Sequence, residues 1–187
     1  MNEGGDWLEE GDSVIHLYVD GSCADNQQTG PEQKAAWGLV VVIGDSGLGR
    51  GNGDIIHEKR GLVVCDEESE EWIGAETASN NTAELSGLIH ALRWLLIEGG
   101  GKVAVIRSDS KYALNIASGT WRAKANKLLA ARSQKLWQEV ATLNEVKGEH
   151  IRAHRGHRWN ERADHLAFRT QAGESVIPLG FWKPGQR

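Results

Sequence analysis

The sequence predicts an α/β domain: a five-stranded mixed sheet, three antiparallel strands first and parallel strands after, flanked by helices. Three observations predict it. Val14 to Asp20 alternates, with Ile15, Leu17 and Val19 on one face and Tyr18 and Asp20 on the other. Ala35 to Ile43 is a nearly continuous apolar run, as in a strand buried on both faces. Thr82 to Glu98 follows the helical period through Leu85, Leu88, Ile89, Leu92, Leu95 and Leu96. Further short strands and helices alternate after it, which suits parallel strands joined by helical crossovers.

Each element has its own signal. The first strand, Val14 to Asp20, ends at Gly21-Ser22, and the loop Cys23 to Glu32 carries the turn formers Asp25, Asn26, Gly30 and Pro31. The second strand leads into GDSGLGRGNGD, a long hairpin connection, and Ile55 to Val64 reads as the third. Cys65 to Ser79 is an acidic surface loop that Trp72 and Ile73 would pin down. Asn81 is placed to cap the first helix with Glu84 three residues later, and Gly99-Gly100-Gly101 stops that helix. Val103 to Ile106 is a short buried strand. Ser110 to Ser118 is a short helix, and Lys124 to Val140 a longer one with Leu128, Leu129, Leu136 and Val140 facing inward. His150 to Ala153 reads as the fifth strand. Asn160 to Gln171 is the last helix, with Ala163, Leu166 and Ala167 on its buried side.

Composition bounds the function. The chain suits a single domain with short tails, large enough for a proper core. No stretch reaches the roughly 18–20 apolar residues that span a bilayer. The acidic start MNEGGDWLEEGDS lacks the basic and apolar regions of a signal peptide, so an intracellular protein, cytoplasmic or nuclear, is expected. Cys23 and Cys65 have no metal-ligand spacing and are read as reduced thiols. The net charge of −5 is unevenly spread. Acid gathers at the N-terminus and in Asp66-Glu67-Glu68-Ser69-Glu70-Glu71. Base gathers between Arg122 and Lys135 and between Arg152 and Arg162. Such patches are either phosphate-binding surfaces or solvated helix faces. No phosphate loop, nucleophile elbow or zinc spacing is present.

Four acids stand out: Asp20 in HLYVDGSC, Glu84 in NNTAEL, Asp109 in VIRSDSKY and Asp164 in NERADHLA. Taken singly, each has an ordinary alternative. Asp20 could form a turn, Glu84 could close a capping box, and Asp109 could cap the next helix. Asp164 could be an exposed helical carboxylate paired with Arg155 or Arg158. If instead they converge, their mutual repulsion needs a compensating cation, and hard oxygen ligands favour Mg²⁺ or Mn²⁺.

Together, VDGSC, NNTAEL, SDSKY and AHRGHRWNERADHLA, in this order between Val14 and Ala172, resemble type-1 ribonuclease H, which cuts the RNA strand of an RNA–DNA hybrid. The resemblance implies a ribonuclease H-like fold with a catalytic domain over residues 13–172, an acidic tail over 1–12 and a C-terminal tail over 173–187. It implies that Asp20, Glu84, Asp109 and Asp164 hold Mg²⁺ or Mn²⁺, two ions per site with substrate. His154, in the glycine-containing loop, is then the residue that assists proton transfer or product release, and His157 is structural. Asn26, Asn80 and Asn81 match positions that contact the hybrid, where amides bond the 2′-hydroxyl.

The resemblance has departures. Ser79 and Thr77 lie where a phosphate pocket would be, without the family's usual arginine. Trp121 is the aromatic candidate for the DNA strand, about one residue out of register. The family's long basic loop is replaced by GTWRAKANKLLAARSQKLW, which keeps charge at Lys124, Lys127 and neighbouring positions. The expected product ends are 5′-phosphate and 3′-hydroxyl. The expected partner is an RNA–DNA hybrid, with no membrane and a monomeric protein. The alternatives are a ribonuclease H domain of a retroelement polyprotein, or a non-hydrolytic binder of hybrid or double-stranded RNA.

Overall fold

The structure, a computed structural model, describes residues 14–24, 33–153 and 155–187. Asn26 and His154 lie outside the described residues. Five strands form one sheet in the order β3-β2-β1-β4-β5. They are β1 (Val14–Cys23), β2 (Ala35–Ile43), β3 (Asp54–Leu62), β4 (Val103–Ser108) and β5 (Val146–His150). The β1–β2 and β2–β3 pairs are antiparallel, and β1–β4 and β4–β5 are parallel. The helices are α1 (Asn80–Glu98), α2 (Lys111–Ala117), α3 (Lys127–Leu143) and α4 (Arg158–Ala172).

Strand alternation divides the interior into two layers. Ile15, Leu17, Val19, Leu39 and Val41 pack with α1, α2 and α3, while Tyr18, Val40 and Val42 pack with Trp159, Ala163 and Leu166 of α4. Two glycines set the spacing of the helices over β1. Gly38 is the register partner of Asp20. A Cβ on Gly38 would lie 2.2 Å from the Ala163 carbonyl oxygen and 2.9 Å from Leu166 Cβ. Only glycine lets α4 approach this closely, and the approach brings Asp164 beside the strand that carries Asp20. On the other face, a Cβ on Gly21 would meet Ala83 Cβ and Glu84 N, both at 2.9 Å.

Several boundaries differ from the sequence reading. β1 continues through Gly21 and Ser22 to Cys23, because β2 supplies partners as far as Ala35. α1 is capped by Ser79 rather than Asn81. The Ser79 hydroxyl accepts from Thr82 N at 3.2 Å, and Thr82 Oγ1 accepts from Ser79 N at 2.9 Å. α3 begins at Lys127 rather than Lys124, since Asn126 is left-handed (φ 50°, ψ 45°). Leu129 and Val140 face inward as expected, but Leu128 is exposed. β5 lies four residues earlier than read; it is an edge strand whose residues are mostly exposed and polar, so it has no apolar signature.

The loops are fastened from below. Trp72 Nε1 donates to Ala75 O at 2.9 Å, and Arg132 lies over the Trp72 ring at 5.4 Å. The glycine-rich connection folds back on α4, with Arg158 N donating to Gly49 O and Trp159 Nε1 to Asn52 O. Residues 173–187 lie along α4: Trp182 is buried, and Ile177 N donates to His165 Nε2 at 3.0 Å. That bond leaves the His165 proton on Nδ1, which donates to Gln186 O at 3.1 Å. Cys23 and Cys65 are free thiols. Among the described residues no helix is long and apolar enough to cross a membrane.

Candidate active site

Each acid reaches the same cleft from a different element. Asp20 comes from β1, Glu84 from the first turns of α1, Asp109 from the residue after β4, and Asp164 from α4. All four line one open cleft of about 490 Å³, together with Asn80 and Asn81. Carboxylate oxygens of Asp20, Glu84 and Asp109 lie within 4.8 Å of one another. Asp20, Glu84 and Asp164 are buried, and Asp109 is half-buried.

The shift of the α1 cap to Ser79 and Thr82 decides what Glu84 does. Its carboxylate turns toward β1 and β4 instead of capping. Gly21 N donates to Glu84 Oε1 at 2.9 Å and to Asp20 Oδ1 at 2.8 Å, so one amide aligns both acids. Ser108 Oγ donates to Glu84 Oε2 at 3.1 Å and accepts from Ser110 N at 3.0 Å. Asp109 does not cap α2. That is done by Ser110, which accepts from Ala113 N at 3.1 Å. His150 Nε2 lies 3.1 Å from the Asp109 carbonyl oxygen.

Electrostatics fit a cation. Burial, then the charges of Glu84, Asp109 and Asp164, hold the Asp20 carboxyl well above its ordinary range. Burial and then Asp109 push Glu84 up to about 8. Acids that resist ionising in the free protein are what like charges crowded in a low dielectric produce. An all-oxygen donor set with this excess negative charge fits a hard divalent ion such as Mg²⁺ or Mn²⁺.

The substrate candidates separate into two groups. Asn80 and Asn81 are exposed at the cleft rim, one turn before Glu84, and Ser79 sits beneath them as the cap. Trp121 and Lys124 are exposed on the connection from α2 to α3, Lys127 is exposed at the first residue of α3, and none of the three lines the cleft. Three residues that sequence reasoning passed over belong to the site. They are Gly21 and Ser108, which orient the acids, and Arg187, whose guanidinium grips Asp164. Nε lies 2.9 Å from Oδ2 and Nη2 lies 2.8 Å from Oδ1. Gly21 and Ser108 adjoin Asp20 and Asp109 in sequence, and that adjacency was the available signal. Nothing local signals Arg187.

The family profile for RNase H matches residues 12–172. A ribonuclease H from Thermosynechococcus vestitus is 30% identical over 179 residues, spanning 88% of this chain and 96% of that protein. The RNase H1 of the halophilic archaeon Halobacterium salinarum superposes with a TM-score of 0.57 at 25% identity, over 86% of this chain and 98% of that one. LC11-RNase H1, solved in complex with an RNA/DNA hybrid, shares the fold at a TM-score of 0.59 and 23% identity, over 85% and 97% of the two chains. The chain belongs to the ribonuclease H family.

Proposed function

We propose that this protein is an endonuclease that hydrolyses the RNA strand of RNA–DNA hybrids in a divalent-metal-dependent reaction. Residues 13–172 are the catalytic domain, flanked by tails over 1–12 and 173–187. The observation that carries the reading is the convergence of Asp20, Glu84 and Asp109 within 4.8 Å, with Asp164 in the same cleft, in a chain of this family. The family's relatives are ribonucleases H, and a protein of the same fold has been solved on an RNA/DNA hybrid.

Asp20, Glu84, Asp109 and Asp164 would hold two Mg²⁺ or Mn²⁺ ions with substrate. When bound, such ions make a water nucleophilic and stabilise charge developing on a phosphate. The chain's own residues do the rest. Gly21 N and Ser108 Oγ fix the carboxylates so that they need not reorganise. Asn80 and Asn81 offer donor and acceptor groups to the 2′-hydroxyl, which distinguishes RNA from DNA. Asn26 joins them, His154 moves a proton at the leaving oxygen, and Trp121, Lys124 and Lys127 support the DNA strand. The water oxygen bonds to phosphorus as the bond to O3′ breaks and O3′ takes up a proton. The products are 5′-phosphate and 3′-hydroxyl ends.

Labelled hybrid, duplex DNA, duplex RNA and single-stranded RNA, each incubated with the protein and Mg²⁺, test this reading. The hybrid's RNA strand alone should be cut, internally. Equal cutting of duplex RNA would contradict the hybrid specificity, and binding without cleavage would contradict the reading and favour the binding-module alternative.

A further inference from the structure

Asp164 already has a cation beside it. Arg187 meets it with two parallel hydrogen bonds of 2.8 and 2.9 Å, the strong fork geometry of guanidinium and carboxylate. The same guanidinium stacks over the Phe168 ring at 4.7 Å. The segment before it is anchored. Gln186 O accepts from Trp182 Nε1 at 3.1 Å and from His165, Lys183 N donates to Gln186 Oε1 at 2.8 Å, and Arg169 Nε donates to Arg187 O at 3.1 Å. Arg187 is therefore presented to the cleft by a docked strap, with Trp182 buried beneath it. Its side chain is nevertheless 49% exposed, against 10% for Asp164, so it can leave without unfolding the strap.

We propose that Arg187 is the resident counter-cation of Asp164, and that a divalent ion gains this carboxylate only by exchange with the guanidinium. The proposal rests on the metal-site reading above and deepens it. Asp20 and Glu84 take their hydrogen bonds from Gly21 N and Ser108 Oγ, neither of them a cation that an ion would have to displace. Asp164 meets it in competition. Arg187 thereby sets the affinity of the Asp164 side of the site and raises the cation concentration needed to fill it. It also keeps the buried carboxylate neutralised when the ion is absent. Once displaced, the half-exposed guanidinium remains at the cleft wall.

The test is Mn²⁺ titration calorimetry at constant ionic strength, without nucleic acid, on the full chain and on Arg187→Ala, Arg187→Lys, Asp164→Asn and the Asp164→Asn/Arg187→Ala double variant. Removing a part-exposed ion pair that competes with the ion should tighten the weaker phase of Mn²⁺ uptake about fivefold to tenfold in Arg187→Ala. Arg187→Lys, which keeps charge without the fork, should fall between it and the wild type. The gain should vanish in the double variant. If Arg187 serves only to fasten residues 173–187, its removal lowers the melting temperature and leaves the isotherm unchanged. That result overturns the exchange, as does a gain that survives in the double variant. If the wild type and Arg187→Ala both take up no Mn²⁺, the underlying metal reading fails, and the exchange with it. A normal wild-type isotherm with no response to Arg187 overturns the exchange alone.

Discussion

Ser108 donates its hydroxyl to Glu84 Oε2 at 3.1 Å, across the junction between β4 and α1, and the Glu84 carboxylate receives Gly21 N on its other oxygen. Glu84 is thus held at both oxygens by groups from two strands. Each of those groups is one residue from another acid, Gly21 after Asp20 and Ser108 before Asp109. Orientation of the cluster is built into the strand ends.

Ser108→Ala removes one of these two holds and also leaves Ser110 N without its acceptor. A buried hydrogen bond lost in this way costs about 1–3 kcal/mol. Thermal melting should show a loss of that order. Hybrid cleavage should lose turnover more than it gains in Michaelis constant, because Glu84 is misoriented while the substrate-facing rim is intact. Unchanged turnover in a destabilised variant would confine Ser108 to a structural role.

The raised acids predict an unusual pH dependence for the metal-free protein. Asp20 lies well above its ordinary 3.8, and Glu84 lies at about 8 against an ordinary 4.5. The folded protein therefore holds protons that the unfolded chain releases. Their contribution to stability is fully present below the unfolded values and is lost as pH rises through about 8. In EDTA the melting temperature should fall between about pH 5.5 and pH 8.5, and added Mg²⁺ should restore more of it at the higher pH. A flat profile in EDTA would mean the carboxylates are ionised without a cation.

The basic stretch that runs from the α2–α3 connection into α3 divides by geometry. Arg132 is committed to Trp72, with Nη1 donating to its carbonyl at 3.3 Å and the guanidinium over its ring. Lys124, Lys127 and Trp121 are exposed. Lys124→Ala/Lys127→Ala should weaken hybrid binding and lower the slope of log affinity against log salt by about 0.7–0.9 per lost phosphate contact. Turnover at saturating hybrid should be nearly unchanged. Equal slopes for the two proteins would make this stretch a solvated surface.

The mixed sheet, with antiparallel strands first and parallel strands after, was legible in the chain for physical reasons, and the convergence of the acids through the family resemblance. Ile15, Leu17 and Val19 recur at every second position, Ala35 to Val42 is buried throughout, and the leucines of α1 recur at helical spacing. In the structure Asp20 lies on β1 and Asp109 directly after the adjacent parallel strand β4, and their proximity follows from that topology. Other features were illegible for equally physical reasons. VKGEH carries no apolar alternation because β5 is an edge. The α1 cap was misassigned because Ser79, Asn80 and Asn81 are all good caps, and the choice turned on Thr82 closing the box. The grip of Arg187 on Asp164 joins residues 23 apart through the docking of 173–187 on α4, and no local pattern encodes it.

The central claim, that the four-acid cleft performs metal-dependent cleavage of hybrid RNA, is tested most directly by Asp109→Asn. The change removes one charge and one ligand atom at nearly constant shape and relieves repulsion on Asp20 and Glu84. Cleavage of a labelled RNA–DNA hybrid with Mg²⁺ should be measured beside the wild type, with folding checked by thermal melting. The account predicts a loss of turnover by a factor on the order of 10³ or more, with an equal or higher melting temperature. Undiminished cleavage by the folded variant would contradict it.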